Sequence, residues 1–339
     1  MPSSLQLKIP LLEAEYVDIP ETHLRVSRVA LGTWAMGGFM WGGTDQRESI
    51  ATIQAAMDQG INLLDTAPVY GFGVSEEIVG AAVEGQRHEV VIATKAGLEW
   101  HGGKVYRNAS RERILQEVDE SLRRLRTDYI DIYQVHWPDP LVPIEETAEA
   151  MRMLYDQGKV RAVGVSNFSV PEVERFRRVA PVHVLQPPYN LFERAAEAEI
   201  LPYCRRVGIV TLGYGALCRG LLSGRMRPDT TFDGDDLRRI DPKFKPPRFA
   251  QYLDAVRQLD EYAQRRFGRR VVQLAVRWML DRGIDVALWG GRHPDQLEAA
   301  LGVVGWSLNA QQRELIEGIV NAVIKDPIGP EFMAPLQRF

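Results

Sequence analysis

Val29-Ala30-Leu31-Gly32-Thr33-Trp34-Ala35-Met36-Gly37-Gly38 decides the fold. Its first four residues form a short apolar run, as expected of a strand buried on both faces. An open, doubly wound sheet would follow its first strand with G-x-G-x-x-G to meet a dinucleotide. The residues from Thr33 to Gly38 do not match that pattern. Further along, the spacing predicts a helix over 46–59, a strand over 62–66 and a helix over 75–83. The alternation continues as 90–95 with 110–125, 129–136 with 144–157, 160–167 with 171–179, 184–190 with 195–207, 209–214 with 250–267, and 285–290 with 294–301. Repeated strand-then-helix units argue for a parallel sheet. Eight of them argue for closure into a (β/α)8 TIM barrel. The doubly wound sheet is the rival.

Three pieces lie outside the repeat. Residues 16–19 and 24–27 suit an N-terminal hairpin across the bottom of the barrel. Residues 216–249, after the seventh strand, are rich in Arg, Asp, Gly and Pro and lack periodicity. A connection that long is usually functional, and its position on the active face predicts a lid. Residues 310–324 suit one more helix, and Pro327, Pro330 and Pro335 keep the tail extended. The expected organisation is a single domain over 1–339, with a core of about 16–325 and a tail of 326–339.

Composition excludes several functions. Charged residues balance at 41 minus 45, or −4, which offers no sustained field for nucleic acid or membrane. No stretch approaches the ~20 apolar residues of a membrane span, and no secretory signal pattern opens the chain. Cys204 and Cys218 are too few for a disulfide framework. The cytoplasm is the expected compartment.

Four residues then stand out. Asp65 closes Asn62-Leu63-Leu64-Asp65, Tyr70 follows in the next loop, Lys95 ends Val91-Ile92-Ala93-Thr94-Lys95, and His136 ends Ile130-Asp131-Ile132-Tyr133-Gln134-Val135-His136. A barrel brings all four to its carboxyl-terminal rim, where chemistry gathers. Each taken alone has a structural explanation: a helix cap for Asp65, a rim ion pair for Lys95, loop packing for Tyr70, a satisfied core group for His136. Together they make a proton-donating site for a carbonyl. Asp65 is the carboxylate available to a buried Lys95. Lys95 is expected to pull the Tyr70 phenol below its ordinary value of about 10, making it a general acid near neutrality. His136 suits a hydrogen bond to the substrate oxygen. No side chain supplies a hydride, so a nicotinamide is the natural donor.

At these residues the chain resembles the aldo-keto reductases. The motifs are Leu31-Gly32-Thr33-Trp34, Leu64-Asp65-Thr66-Ala67 with Tyr70-Gly71, Thr94-Lys95, Leu122-Arg123-Arg124-Leu125 with Thr127-Asp128-Tyr129-Ile130-Asp131, and Gly164-Val165-Ser166-Asn167-Phe168. The resemblance implies a catalytic tetrad of Asp65, Tyr70, Lys95 and His136, with Tyr70 the proton donor. It implies NADPH, with NADH possible, and no metal. Within that family the pattern is similar to bacterial aldehyde or sugar reductases and polyol dehydrogenases.

The same resemblance points to a cofactor site. Gly32, Thr33, Trp34 and Asp65 would border it. Ser166, Asn167 and Gln186 suit the nicotinamide carboxamide, or simply a turn. Tyr214 suits stacking on the nicotinamide, or core packing. The loop Gly215-Ala216-Leu217-Cys218-Arg219-Gly220-Leu221-Leu222-Ser223-Gly224-Arg225 is similar to the family's pyrophosphate belt. Its small residues let amides approach phosphate, and Arg225 can neutralise it. From that loop Gly215, Leu217, Gly220, Leu222 and Arg225 are cofactor candidates, with Arg238 a second lid cation. Gly291, Arg292 and Gln296 open the last short helix, and Arg292 suits an adenosine 2′-phosphate. The chain departs from its relatives with Ala299-Ala300 where they often carry Glu-Asn, and with Trp289-Gly290 where they often carry Pro-Gly.

Trp34, Tyr70, His136 and Trp137 are the expected substrate wall, with Trp100 the weaker candidate. Aromatic walls suit small aldehydes, ketones or sugars. Two other functions compete. Nicotinamide-binding regulatory subunits of potassium channels resemble this chain, but tend to carry Asn where His136 stands. A barrel aldolase or isomerase would use Lys95 as a Schiff-base amine, which the Asp65 pairing disfavours.

Overall fold

The computed structural model describes residues 15–338. The first described elements are β1 (Tyr16–Asp18) and β2 (Arg25–Ser27), an antiparallel hairpin. Next come β3 (Val29–Gly32), α1 (Gln46–Asp58), β4 (Leu63–Asp65), α2 (Val74–Ala82) and β5 (Val91–Ala96). A second hairpin, β6 (Leu98–His101) and β7 (Lys104–Arg107), precedes α3 (Arg111–Leu125). The alternation resumes with β8 (Ile130–Val135), α4 (Ile144–Asp156), β9 (Val160–Ser166), α5 (Val170–Arg177), β10 (Val184–Gln186), α6 (Ile200–Val207) and β11 (Val210–Gly213). Then come α7 (Arg248–Phe267), α8 (Val271–Arg282), β12 (Val286–Gly290) and α9 (Ala310–Val323).

Eight strands close a barrel in the order β3-β4-β5-β8-β9-β10-β11-β12, every neighbouring pair parallel. Alternation along each strand splits the core in two. Ala30, Leu63, Val91, Ala93, Ile132, Ala162, Val184, Val210, Leu212, Val286 and Leu288 cluster inside, with Ile19, Leu24 and Val26 of the hairpin region packed among them. Leu31, Leu64, Ile92, Tyr133, Val163, Val165, Leu185 and Ala287 belong to the outer cluster shared with the helices. The hairpin therefore plugs the amino-terminal end. The carboxyl-terminal end is left for polar side chains.

The alternation fixes which ones. Counting by twos from Leu63, Ala93, Ile132, Ala162 and Val184 turns Asp65, Lys95, Gln134, Ser166 and Gln186 inward at the top of the barrel. Gly164 makes room for this layer. A Cβ there would lie 2.4 Å from Val184 Cγ2 and 2.9 Å from Gln134 Cγ.

Several expected boundaries change. The eighth unit's helix is absent as an α-helix, since 294–301 forms 3-10 turns at Pro294–Leu297 and Ala300–Val303. The helix that packs there is α8, buried along most of its length, with even the Arg277 of its polar stripe Gln273, Arg277 and Asp281 turned in to pair with Glu15 and Asp281. The helix expected over 195–207 is a 3-10 turn, Ala195–Glu197, followed by α6. Pro202 explains the break, because a continuous helix would press its ring against the carbonyl of residue 198. The β6–β7 hairpin was not expected either. Its turn, Gly102-Gly103, has φ of 57° and 75°, the two-residue geometry that glycine adopts without strain.

Candidate active site

Tyr70 is placed by two glycines. A Cβ on Gly37 would lie 2.4 Å from the Tyr70 carbonyl carbon, and one on Gly71 would lie 2.0 Å from the Gly37 oxygen. The loops after β3 and β4 thus meet backbone to backbone, and only glycine permits it. The Tyr70 ring stacks against Trp34, with centroids 5.9 Å apart, and meets His136 edge-on at 5.8 Å.

Lys95 Nζ donates to Asp65 Oδ2 at 2.7 Å, to the Thr66 carbonyl at 2.9 Å and to Tyr70 OH at 3.3 Å. Both members of the ion pair are buried. The other carboxylate oxygen, Asp65 Oδ1, accepts from Gln186 Nε2 at 2.9 Å and from Gln134 Nε2 at 3.5 Å. Gln186 also donates to Gln134 Oε1 at 3.2 Å. Behind the strand, Thr94 donates to the buried Glu76 at 2.6 Å, and Glu76 pairs with Arg124 at 2.6 Å.

The electrostatics correct one expectation. The Tyr70 phenol is held well above its ordinary value, first by burial and then by the Asp65 charge. Lys95 does not lower it, because its ammonium is matched by Asp65 at shorter range. Burial also lowers Lys95, offset by Asp65 and Glu76. His136 is held well below the usual imidazole range by burial and by Lys95. The site at neutral pH therefore holds a protonated phenol and a neutral imidazole. Among the described residues no side chain or backbone group takes either ring nitrogen of His136.

A cavity of about 400 Å³ opens from this cluster. Its wall includes Gly32, Trp34, Asp65, Tyr70, Tyr214, Gly215, Leu217, Gly220, Arg225, Arg238, Gly291, Arg292 and Gln296, all anticipated from sequence. It also includes Trp41, Arg219, Phe232, Ala299 and Met333, which sequence reasoning missed. Four guanidiniums border it against one carboxylate, Asp65. Arg219 and Arg238 are held by acidic partners of their own, and Arg225 reaches Asp295 at 3.2 Å. Arg292 differs. Its Nη1 donates to the Trp41 and Gly43 carbonyls at 2.9 and 3.2 Å, and no carboxylate pairs with it among the described residues. Asp235 bonds the same loop, accepting from the Met40 and Gly42 amides at 2.8 and 3.3 Å.

Other anticipated residues lie beside the cavity rather than on its wall. Thr33 is buried and turned outward, donating to the Asp65 carbonyl at 2.9 Å and meeting Ser75 at 2.7 Å. Leu222 is a core residue. Ser166, Asn167 and Gln186 interlock at the strand ends. Ser166 Oγ donates to the Gln186 carbonyl at 2.9 Å, Asn167 Nδ2 to the His136 carbonyl at 2.9 Å, and Tyr214 OH to Asn167 Oδ1 at 2.8 Å. Trp137 sits at the rim beneath Arg107, 5.2 Å from guanidinium carbon to ring, and Trp100 packs on Phe72. Gln134 escaped notice as a neighbour of Asp65, although counting two residues on from Ile132 finds it.

This geometry can be set beside known proteins. The sequence pattern of the Aldo/keto reductase family matches residues 28–321. The aldo-keto reductase YhdN of Bacillus subtilis (strain 168) is 59% identical over 327 residues, 96% of this chain and 99% of that one. The NADH-specific methylglyoxal reductase of Escherichia coli (strain K12) is 33% identical over 324 residues, 91% of this chain and 98% of that one. The structure of the glycerol dehydrogenase AKR11B4 from Gluconobacter oxydans superposes with a TM-score of 0.87 at 50% identity, covering 95% of this chain and all of the other. No helix among the described residues is long and apolar enough to cross a membrane. On the matched span and the level of identity, the chain belongs to the aldo/keto reductase family.

Proposed function

We propose that the protein is an NAD(P)H-dependent oxidoreductase that reversibly reduces small aldehydes, ketones or sugars to alcohols, with Tyr70 as the proton donor. One observation carries the reading: a buried Asp65–Lys95 pair touching Tyr70 at the foot of a cavity walled by guanidiniums. The wall fits a dinucleotide. Small residues of the loop from Gly215 admit phosphate oxygens, and Arg292 has charge to offer. When bound, the nicotinamide supplies the hydride.

The chain's own groups do the rest. Tyr70 keeps its proton at neutral pH because burial disfavours the phenolate. It releases that proton only to a strong base, such as an oxygen gaining negative charge. The Lys95 ammonium, 3.3 Å away, stabilises the phenolate as it forms. Asp65 keeps that ammonium in place. His136, neutral and unpartnered, donates a hydrogen bond that fixes the carbonyl oxygen beside Tyr70. Trp34 closes one side of the pocket and excludes water.

NADPH is the proposed cofactor, with NADH possible. The preference for the phosphorylated form rests on Arg292, since one relative is named for NADH. Three-carbon oxygenated compounds head the substrate list, as the relatives' names suggest glycerol and methylglyoxal. The buried thiols Cys204 and Cys218 suit a reducing cytoplasm. Fluorescence titration with NADPH and NADH, followed by a panel of small carbonyls, tests the proposal. Saturable binding with turnover of short aldehydes is expected. Failure to bind either nucleotide would reject it.

A further inference from the structure

Beyond the catalytic cluster, the molecule buries a second group of charges that the reaction does not use. Glu193, Arg219, Asp241 and Lys243 are all buried, and their charges cancel. Arg219 pairs with Glu193 and, at 2.7 Å, with Asp241. Lys243 Nζ pairs with Glu193 at 2.8 Å and donates to the Gly329 carbonyl at 3.1 Å. Asn190 binds the cluster to the cofactor loop, donating to Glu193 at 2.7 Å and to the Gly215 carbonyl at 3.0 Å.

Each contact joins a different piece of chain. Arg219 belongs to the loop proposed to hold pyrophosphate. It and Cys218 have φ of 54° and 46°, left-handed backbone that bulky residues keep only where their surroundings hold it. Gly329 begins a strap, residues 329–338, that crosses the mouth of the barrel. From its start beside Lys243, the strap passes Arg219, with Phe332 5.7 Å from the guanidinium carbon. Met333 then reaches the cavity wall. At the far side Leu336 exchanges backbone hydrogen bonds with Val105 and Arg107 at 3.1 and 2.8 Å, and Arg338 pairs with the buried Asp139 at 2.9 Å. Those anchors follow β5 and β8, whereas Arg219 and Lys243 follow β11, on the opposite side of the ring.

We propose that Lys243 is a positioning residue for the carbonyl substrate: through Glu193 and Arg219 it ties the strap to the cofactor loop, so that the substrate mouth closes fully only when that loop is held. The proposal rests on the reading of the cavity as a dinucleotide site. Lys243 touches neither substrate nor cofactor. The quartet is neutral as a whole, and removing one partner alone would leave a buried charge unmatched.

Amide hydrogen exchange on the full chain, with and without NADP+, separates the two ideas. In the unmodified protein, NADP+ is expected to slow exchange at residues 215–225 and also at Arg107 and Leu336, by about tenfold at the strap, the worth of one charged hydrogen bond. In the charge-balanced double variant Lys243→Met/Glu193→Gln, protection of 215–225 should persist while protection of the strap disappears. The KM for the carbonyl should rise about tenfold in that variant with kcat within about twofold, the split expected when substrate and transition state lose the same binding. No protection at 215–225 would reject the cofactor site itself. Protection at 215–225 without any at the strap in the unmodified protein would overturn the coupling, whether or not the variant folds. Equal strap protection in a folded variant would overturn the role of Lys243.

Discussion

Replacing Tyr70 by Phe removes one oxygen and tests the acid directly. The ring's contacts remain, since Trp34 and His136 meet its carbon skeleton at 5.9 and 5.8 Å. Lys95 keeps its two shorter bonds, to Asp65 at 2.7 Å and to the Thr66 carbonyl at 2.9 Å. Only the 3.3 Å contact to the hydroxyl is lost, so stability should change by no more than about 1 kcal/mol. The chemical step loses its proton source. General acid catalysis contributes about 10²–10⁴-fold, which is roughly 3–5 kcal/mol on the barrier. Single-turnover loss of dihydronicotinamide absorbance, with a short aldehyde in excess, measures that step apart from product release. Cofactor affinity, read by fluorescence, should stay within a few-fold. A variant that turns over within tenfold of the unmodified enzyme would show that the proton comes from elsewhere, and the assignment of Tyr70 would be wrong.

Three further outcomes follow from the same geometry. Asp65→Asn strips the buried Lys95 ammonium of its counter-charge and should cost about 3–5 kcal/mol in urea denaturation; a loss below about 1 kcal/mol would mean the pair behaves like a surface one. Arg292→Ala should weaken NADPH by about 10–100-fold, the worth of a charged hydrogen bond or two, and NADH much less; equal losses would show that Arg292 serves the Trp41–Gly43 loop rather than a 2′-phosphate. Acid should act early through two imidazoles. The imidazoles of His136 and His183 are both held below the ordinary value, chiefly by burial, so below pH ~6.5 the unfolded chain takes up protons that the folded one refuses. The contribution of these two rings therefore falls with falling pH from about 7 downward until the folded-state values are reached, by up to about 1.4 kcal/mol per pH unit for each group. Burial raises the Glu117 carboxyl to about 8, which acts in the opposite sense over the same range, so the test is made on Glu117→Gln. Thermal melts of that variant between pH 8 and 5 that show no such slope would contradict the buried, neutral state of both rings.

The barrel was legible because its strands are short apolar runs separated by helices with one apolar face. β3 matched the expected boundaries, and the other strands differed at their ends. α8 carries a polar stripe, Gln273, Arg277 and Asp281, but Arg277 is buried against Glu15 and Asp281, so the stripe does not mark a solvent face, and the segment after β12 forms 3-10 turns where a helix is expected. The β6–β7 hairpin was readable from Gly102-Gly103, but its strands are only four residues long. Asp65, Lys95, Tyr70 and His136 come together as their strand-end positions implied. The lowered pKa expected of Tyr70 did not follow, because proximity to Lys95 was visible in the sequence order while burial was not. Desolvation outweighs a cation already matched by Asp65. Other residues of the cavity wall, such as Trp41 and Phe232, had no local signal. Their roles arise from loops that fold over the top of the barrel, and a period of two or 3.6 carries no information about those.

Carbonyl reduction here requires a hydride delivered in this cavity and a proton delivered by Tyr70. Purified enzyme mixed with NADPH deuterated at the reactive ring carbon and a short aldehyde gives the most direct test. Mass spectrometry should find an alcohol carrying one deuteron on the former carbonyl carbon, with the nucleotide oxidised in equal amount. Nucleotide bound but never oxidised, or an alcohol free of deuterium, would contradict it.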